Sequence, residues 1–471
     1  QAAVRLKLSG GGVFMDLLLR ALSPVGNLLA RRALEQALDG LVPNLASVAG
    51  VPGPVPGDCP LVPDSGTPMP WQSVAENVDR KLRRDHVPHG TVVHARMSVP
   101  STATWLQAYG PGGPGNVGTS VPDGDGGDSA IWTGHWLSAQ ALRWHADRSA
   151  VALDNVLHAL SGVSALFEIY GNTGLLARCV APGASPMGQT LMQDRSCTLR
   201  LMRGETWVGI AGGGGISRDQ YMGVIMGLAM TLDLVTEPRA QAEATRLVRM
   251  IVDYLVARGW WIDEDRVRFD ATTGQGFPTF YTGIIEQQLN TLHLGNRAAP
   301  GRYTAELARV SPLAETAWLG MWTSTFNLES YYKFNLSHGT AYNYFRLETD
   351  PARWQHSARS FHIMRRYVQH HMNAHFNLVH ASVDPSLAAT YHPAARESLR
   401  QFLGRCHREV MPAVVDLSGV TWVTVAQPSV AVPGSAPSPA TVTMPSRPLG
   451  PQLRPPAGDF FWQRGPSEPV R

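Results

Sequence analysis

The sequence predicts an all-α protein, a toroid (ring) of helical hairpins with few short strands. Helical periodicity is the first observation. Five apolar residues recur at close to the 3.6-residue spacing of one helix face: Trp132, Trp136, Leu137, Ala141 and Trp144. A second apolar stretch, 151–170, follows the short polar turn HADRSA, so the two stretches form a hairpin.

The second observation is that the same hairpin pattern recurs along the chain. Further hairpins are predicted at 220–235 with 240–258, at 282–294 with the segment that follows, and at 331–347 with 351–375. One hairpin cannot bury its apolar face alone, so closure into a ring is the natural arrangement. Strand-like runs are limited to 91–97, 198–210 and 419–425.

Proline-rich segments mark the two ends of the expected toroid domain, 71–425. Residues 1–70 contain a helical stretch and then a Pro/Gly-rich arm, in which repeated prolines exclude regular helix. Residues 426–471 are Pro/Ser-rich and low in bulky apolar side chains, so this tail is predicted to be disordered.

Composition excludes a strongly electrostatic partner. Of the 471 residues 44% are hydrophobic, which is enough for a large core. The 40 Lys and Arg nearly balance the 37 Asp and Glu, so neither nucleic acid nor an anionic membrane is favoured. The 13 Trp and 12 Tyr are typical of proteins that stack against sugar rings, although core packing explains them equally simply.

The ends of the chain and the cysteines bear on localisation. The chain begins at Gln1, which we interpret as removal of a leader or as a fragment, and we expect a secreted protein. The apolar stretch 13–29 is interrupted by charges and a proline, so no membrane span is expected. Disulfides joining Cys179 to Cys197 and Cys59 to Cys406 are one interpretation; other pairings and free thiols stay open.

Several predicted helices follow a polar or glycine-rich loop. The segments are DGDGGDSAIWTG, AGGGGISRDQYMG, FPTFYTG and FNLSHGTAYNY. Glycine early in a helix permits close backbone approach, and the preceding loop can present side chains at a shared end of the bundle. Residues far apart in the chain are therefore expected to meet at one mouth.

Three segments resemble known proteins: GDSAIWTGHWLSAQALRW, SRDQYMGVIMGLAMTLDLV and YYKFNLSHGTAYNYFRLE. They look like secreted proteins with the six-hairpin, or (α/α)6, toroid shared by many glycoside hydrolases and polysaccharide lyases. The resemblance covers residues 75–410 and lies in the hairpin layout. It implies an enzyme acting on an oligo- or polysaccharide.

Asp128 and Asp219 are the candidate catalytic carboxylates. Each stands at the start of a predicted helix, so both are expected at the same mouth. Glycoside hydrolysis needs such a pair, one to protonate the leaving oxygen and one to activate water or attack the sugar. The alternative is that each merely caps its helix. Arg218 is adjacent and would hold Asp219 ionised or clamp substrate.

Aromatic residues and a histidine near these carboxylates are the candidate substrate contacts. His135 lies two helical turns after Asp128 and therefore on the same face. Trp132, Trp136 and Tyr221 are candidate platforms for sugar rings. Core packing is the simpler explanation for the aromatic residues.

A third set supports eliminative cleavage of a uronic acid polymer. His338, Tyr342 and Arg346 follow at intervals of four residues and align on one helix face, with Asn335 just before them. Such groups neutralise a substrate carboxylate and take up a proton. Asn335 also begins a glycosylation sequon, which would require exposure.

No cofactor or bound metal is expected, although the acidic run 123–128 is a candidate calcium loop. The pair His371 and His375 has the spacing of two metal ligands on a helix but lacks the accompanying glutamate. The first hypothesis is a glycoside hydrolase, the second a polysaccharide lyase, and the third a non-catalytic glycan-binding or structural protein.

Overall fold

The computed structural model describes most of the chain between 71 and 403 and two strands beyond it. The described residues are 71–93, 95–98, 119–122, 126–212, 215–262, 268–269, 276–277, 285–313, 332–368, 373–403, 422–426 and 441–445. About 70% of the described residues are helical and 7% are in strands, so the all-α prediction is confirmed. The predicted arm at 1–70 lies outside the described residues.

Twelve α-helices lie within the described residues. They are α1 (Trp71–Lys81), α2 (Ser129–Asp147), α3 (Ala150–Glu168), α4 (Pro186–Leu191), α5 (Arg218–Leu234), α6 (Pro238–Ala257), α7 (Ile285–Ala298), α8 (Thr304–Val310), α9 (Tyr332–Leu347), α10 (Pro351–Val368), α11 (Ala374–Val383) and α12 (Ala388–Leu403). A π-helical turn, Leu82–His86, continues α1.

Nine short strands in the described residues pair in antiparallel fashion. They are β1 (Ala95–Ser98), β2 (Thr119–Pro122), β3 (Cys179–Pro182), β4 (Thr198–Met202), β5 (Glu205–Ile210), β6 (Arg268–Phe269), β7 (Gly276–Phe277), β8 (Trp422–Ala426) and β9 (Thr441–Pro445). The one three-stranded sheet among them has the order β3-β5-β4, and the others are pairs. The tail predicted as disordered differs at β9, whose β-branched TVT run pairs with β8.

The predicted hairpins are present, and a further one follows them. α2 and α3, α5 and α6, and α9 and α10 match the predicted segments within a few residues, except that α10 ends at Val368 rather than at His375. The Asn373 side chain accepts hydrogen bonds from the amides of His375 and Phe376 and so begins a new helix, α11. α11 and α12 form a hairpin that the sequence analysis did not separate.

The first helices of successive hairpins run parallel. The Ile131 amide of α2 donates to Gln220 of α5, and six residues later Leu137 of α2 lies beside Gly227 of α5. The two helices therefore run in the same direction. The starts of α2 and α5 lie side by side.

The same direction extends to α7, α9 and α11. Near their C-terminal ends, Asp233 of α5 pairs with Arg297 of α7 at 2.5 Å and with Arg346 of α9 at 2.6 Å. Nearer the start of α5, Met222 contacts Gln287 of α7, and Met226 lies beside Gly339 of α9. Along α9, the Asn335 backbone bonds to His375 at the start of α11, and His338, one turn later, contacts His380, also later in α11. The helices that open the hairpins thus share one N-terminal end.

Glycine allows α2 and α5 to touch through their backbones. A Cβ atom on Gly134 would overlap the carbonyl group of Gly223, and one on Gly227 would lie 2.6 Å from the Gly134 oxygen. Neither distance is compatible with a side chain. The small residues noted in the sequence therefore fix the spacing of these two helices.

The core lies between the opening helices and the returning helices α3 and α6. Its members are apolar residues from all of these elements, with Leu160, Val163 and Leu166 of α3 almost fully buried. Among the described residues, α3 alone is long and apolar enough to cross a membrane, by length and composition. More than half of that stretch is buried inside the protein, as in a core helix.

The sheet β3-β5-β4 corrects the expected pairing of Cys179 with Cys197. Cys179 opens β3 opposite Ile210 of β5, and Thr198, next to Cys197, pairs with Gly209 on the other edge of β5. Two strand spacings, about 9.6 Å, separate the outer strands, whereas a disulfide spans at most about 7 Å between Cα atoms. The structure accordingly does not join these two residues. Cys59 and Cys406 lie outside the described residues.

We expect Gly134→Ala to lower the free energy of unfolding by about 1–3 kcal/mol, because the methyl group forces α2 away from α5. The midpoint of urea or thermal unfolding measures it. Gly339→Ala in α9 is the matched control, since its Cβ would meet only the Met226 sulfur, at 3.3 Å. The control should keep or raise stability through helix propensity. Equal stability of Gly134→Ala and the wild type would contradict the backbone contact.

Candidate functional site

A polar cavity lies between α2, α5, α7 and α9. Its free volume is about 20 Å³, which is room for about one water molecule. Gly223 and Gly339 are part of its wall and leave room for it. Its polar lining consists of His135, Gln287, Asn290, Thr291, Asn335, Thr340 and Asn343. No Asp, Glu, Lys or Arg occurs among the lining residues in the described part of the chain.

Three amide side chains in this wall have an oxygen atom without a hydrogen-bond partner. Gln287, Asn290 and Asn343 are 3%, 4% and 2% exposed, yet the side-chain oxygen of each accepts no hydrogen bond. Two of the amide nitrogens are engaged. Asn290 Nδ2 donates to the Thr340 carbonyl at 3.2 Å, and Gln287 Nε2 is directed at the Met222 sulfur. The oxygens are therefore buried acceptors without a partner among the described residues.

Sequence reasoning missed these amides because it searched for titratable groups. A signal existed in the segment QQLNTLH of α7, where Gln287, Gln288, Asn290, Thr291 and His293 are all buried. Polar side chains of this kind are mostly exposed. Their concentration in a helix that also carries the apolar face of a hairpin indicates a polar interior.

His135 and His375 are neutral near pH 7. Burial, and to a smaller extent the neighbouring His375, lower the pKa of His135 to about 4. Burial also lowers the pKa of His375 to about 4, against a hydrogen bond with the Asn335 backbone that raises it. His135 was predicted to contact substrate, and it does line the cavity.

His338, a predicted catalytic residue, lies behind the cavity wall. It is fully buried, its Nε2 is 3.0 Å from Nε2 of His380, and its ring stacks on Phe376 with centroids 3.8 Å apart. His338 is not a lining residue of the cavity. This corrects the expected contact with substrate: the helix face that carries His338 turns toward α11.

Asp128 and Asp219 lie at the same end of the bundle but outside the cavity lining. Asp128 precedes α2 and accepts a hydrogen bond from Gln220 at 3.1 Å, with Arg178 3.6 Å away. It makes no capping bond to its own helix, so the simple N-cap explanation is wrong for it. Asp219 is in the first turn of α5, with Arg218 at 3.7 Å.

Two of the predicted aromatic platforms are core residues. Tyr221 is fully buried, and its hydroxyl donates to the Gly174 carbonyl at 2.9 Å and accepts from the Leu176 amide at 3.1 Å. Trp136 is 6% exposed and packs in the main cluster. Core packing therefore replaces the predicted stacking at both. Trp132 is half-buried, with its ring 5.8 Å from that of His135.

The predicted lyase set divides between two places. Asn335 lines the cavity. Tyr342 and Arg346 lie farther along α9, where the Arg346 guanidinium sits 5.3 Å above the Tyr342 ring and bonds to Asp233. Arg346 is thereby tied to the C-terminal end of α5. The four residues were expected to share one site, but only Asn335 lines the cavity.

The sequon at Asn335 is buried. Asn335 is 6% exposed and Ser337 is 4% exposed within α9. An attached glycan has no room in this helix, so the sequon is not a glycosylation site of the folded protein.

The described residues include no candidate metal site. No three His, Cys, Asp or Glu side chains there are grouped to hold a metal ion. Asp123 and Asp125 of the candidate calcium loop, and His371 of the spaced histidine pair, lie outside the described residues.

A second buried polar cluster, which sequence analysis did not single out, closes the other end of α9. The Glu348 carboxylate accepts from Arg353 at 2.9 Å and from the Tyr344 hydroxyl at 3.1 Å, and His293 lies 3.2 Å away. Although burial opposes ionisation, these donors hold the pKa of Glu348 well below its usual range. The cluster fixes α9 to α7 and α10.

The chain was compared with family models, with curated proteins and with solved structures, and none of the three comparisons gave a match.

We expect stability to fall as the pH is lowered from about 6.5 to about 4. In that range the unfolded chain protonates its histidines, whose ordinary pKa is about 6.5, while folded His135 and His375 stay neutral. The stabilisation is fully present above pH 6.5 and is lost toward pH 4. Each histidine contributes at most about 1.4 kcal/mol per pH unit to the slope.

Urea unfolding across pH 4–8 measures this slope. His375→Gln should reduce it. His145→Gln removes an exposed histidine of α2 and serves as the matched control, which should behave as the wild type. An unchanged slope in His375→Gln would show that the buried imidazole does not resist protonation.

Proposed function

We propose that this protein is a carbohydrate-active enzyme, a glycoside hydrolase that admits its substrate at the N-terminal end of the parallel helices. The observation that carries the proposal is the hydrogen bond from Gln220 to Asp128. It brings the start of α2 next to the start of α5, and with it Asp128 next to the turn that holds Asp219. Two carboxylates at one opening are what hydrolysis of a glycosidic bond requires.

A small polar cavity lies near the same end of the bundle. His135 follows Asp128 by seven residues, which is about 10 Å along a helix. The cavity therefore lies one to two helical turns inside the end where the carboxylates stand. Asp128 and Asp219 are 38% and 33% exposed, so both are within reach of water and of a bound sugar.

A closed (α/α)6 toroid is part of this proposal. Five hairpins account for α2 to α12 apart from the short helix α4. α1 and its π-helical turn pack beside the first hairpin through Arg143 with Asp79 and through Arg83 with Asp154. In the proposed ring, α1 would stand between the last hairpin and the first. Secretion, predicted from the sequence, is compatible with a polysaccharide substrate.

Binding without catalysis is the second candidate. It is favoured by the uncharged lining, because a catalytic carboxylate that faced the cavity would be expected among those residues. The lyase alternative has less support, since of its four residues only Asn335 lines the cavity.

We expect Asp128→Asn and Asp219→Asn each to lower the turnover of a glycoside substrate by about 10²-fold or more, because each removes an acid or base of the reaction. Release of reducing sugar from a panel of glycosides and polysaccharides measures it. Asp154→Asn on α3 is the matched control, because that side chain is 74% exposed on a returning helix. Full activity in both of the first two variants would contradict the hydrolase proposal.

A further inference from the structure

We propose that the outer edge of β4 binds an extended peptide of a partner protein, in which apolar residues alternate with acidic ones. The peptide adds a strand to the sheet β3-β5-β4, beside β4. Its apolar side chains lie on Leu199 and Leu201, and its carboxylates lie on the opposite face, beside Arg200. This binding site is separate from the polar cavity and does not depend on the proposed hydrolysis.

The backbone of β4 offers hydrogen bonds at its outer edge. The hairpin of β4 and β5 turns through Arg203 and Gly204, both with positive φ, as a two-residue turn of this kind requires. Such a turn joins its flanking residues by hydrogen bonds, so Met202 and every second residue before it bond to β5. The amides and carbonyls of Leu199 and Leu201 therefore point away from β5. Within the described residues no strand pairs with this edge.

The two leucines form an apolar surface at that edge. Leu199 is 57% exposed and Leu201 is 76% exposed. Alternate residues of a strand share a face, so both lie on the face of the buried Val208, which pairs with Leu199. Methyl groups of Val208 and of the exposed Met192 both lie beside Gly183. The apolar interior on this face thus continues to the surface at the edge of β4.

The other face of β4 carries a positive charge at this edge. Arg200, between the two leucines, is exposed, and its guanidinium lies beside Gly171. Arg203 bonds to Glu168 of α3, whereas Arg200 forms no ion pair within the described residues. The acid of the hairpin, Glu205, lies on β5, one strand farther from the edge. A carboxylate on a strand added next to Arg200 therefore supplies the counter-charge.

The same charge disfavours a second copy of this chain as the occupant. An antiparallel register that joins the leucines of two copies by hydrogen bonds puts Leu199 opposite Leu201, and so Arg200 opposite the Arg200 of the second copy. Like charges directly opposite each other destabilise a strand pair. A charged side chain on an edge strand is a common protection against such self-association. A partner with acidic residues converts the repulsion into attraction.

The experiment measures binding of short blocked peptides to the full chain by fluorescence anisotropy. One peptide alternates valine with glutamate, a second alternates valine with lysine, and a third has the residues of the first in two separate blocks. We expect the first to bind and the other two to bind about tenfold more weakly or less, because each lacks either the charge or the alternation. Amide hydrogen exchange of residues 198–202 should slow when the first peptide is bound.

Substitutions at exposed positions separate binding from folding. Leu201→Thr removes the apolar contact but keeps strand propensity, and should weaken binding about fivefold or more. Arg200→Glu should reverse the preference, from the glutamate peptide to the lysine peptide. The matched controls are Leu378→Thr, at a leucine 45% exposed on α11, and Arg239→Glu, exposed in the first turn of α6. Both controls should bind the glutamate peptide as the wild type does, and all four variants should unfold cooperatively.

The expected result is a monomeric wild type that binds the glutamate peptide. The proposal is overturned if that peptide does not bind, if the lysine or the block peptide binds as tightly, or if Leu201→Thr and Arg200→Glu bind as the wild type does. Sedimentation velocity tests the other occupant. A dimer of the wild type that is lost in Leu201→Thr would assign the edge to self-association and would also overturn the proposal.

Discussion

The backbone contact between α2 and α5 is the constraint on which the rest of the structure depends. Gly134, Gly223 and Gly227 let the two helices approach until main-chain atoms touch, and this fixes their relative height. With that height fixed, Gln220 reaches both the Ile131 amide and the Asp128 carboxylate. The shared N-terminal end and the position of the cavity both follow from it.

Polar groups at the two ends of the opening helices differ in whether their oxygen atoms have hydrogen-bond partners. Near the C-terminal ends, the oxygens of the partly buried Asp233 and the buried Glu348 meet guanidinium, imidazole or hydroxyl groups. Around the cavity, the oxygens of Gln287, Asn290 and Asn343 meet nothing from the described residues. Paired buried groups stabilise a fold, whereas an unpaired buried acceptor costs stability.

Much of the fold could be predicted because helical periodicity is a local property of the sequence. The α5 segment was predicted as 220–235 and is Arg218–Leu234, and the parallel direction of the opening helices followed from the repeat. The α11–α12 hairpin was not separated, because the apolar pattern runs on past Val368 and only the Asn373 cap marks the new start. Strand β9 was missed because proline and serine dominate the composition around it.

The site was less predictable, since periodicity identifies a helix face but not what that face meets. Asp128 and Asp219 were correctly expected at one end, yet Tyr221 and His338 turn into the core through partners 45 and 42 residues away in the chain. Similarly, Glu348 and His293 meet across 55 residues. Contacts of this range depend on the spacing of helices, which no local pattern records.

The distance between the C-terminal ends of α5 and α9 tests the parallel arrangement most directly. Thr236 and Thr349 are exposed and each lies two residues past the end of its helix. Spin labels at Thr236→Cys and Thr349→Cys, in a chain whose native cysteines are replaced by serine, report that distance by pulsed electron resonance. Parallel helices packed about 10 Å apart predict a distance of no more than about 20 Å. A distance of about 26 Å or more, as expected if the 16-residue α9 ran the other way and moved Thr349 about 24 Å along the helix axis, would contradict the shared end.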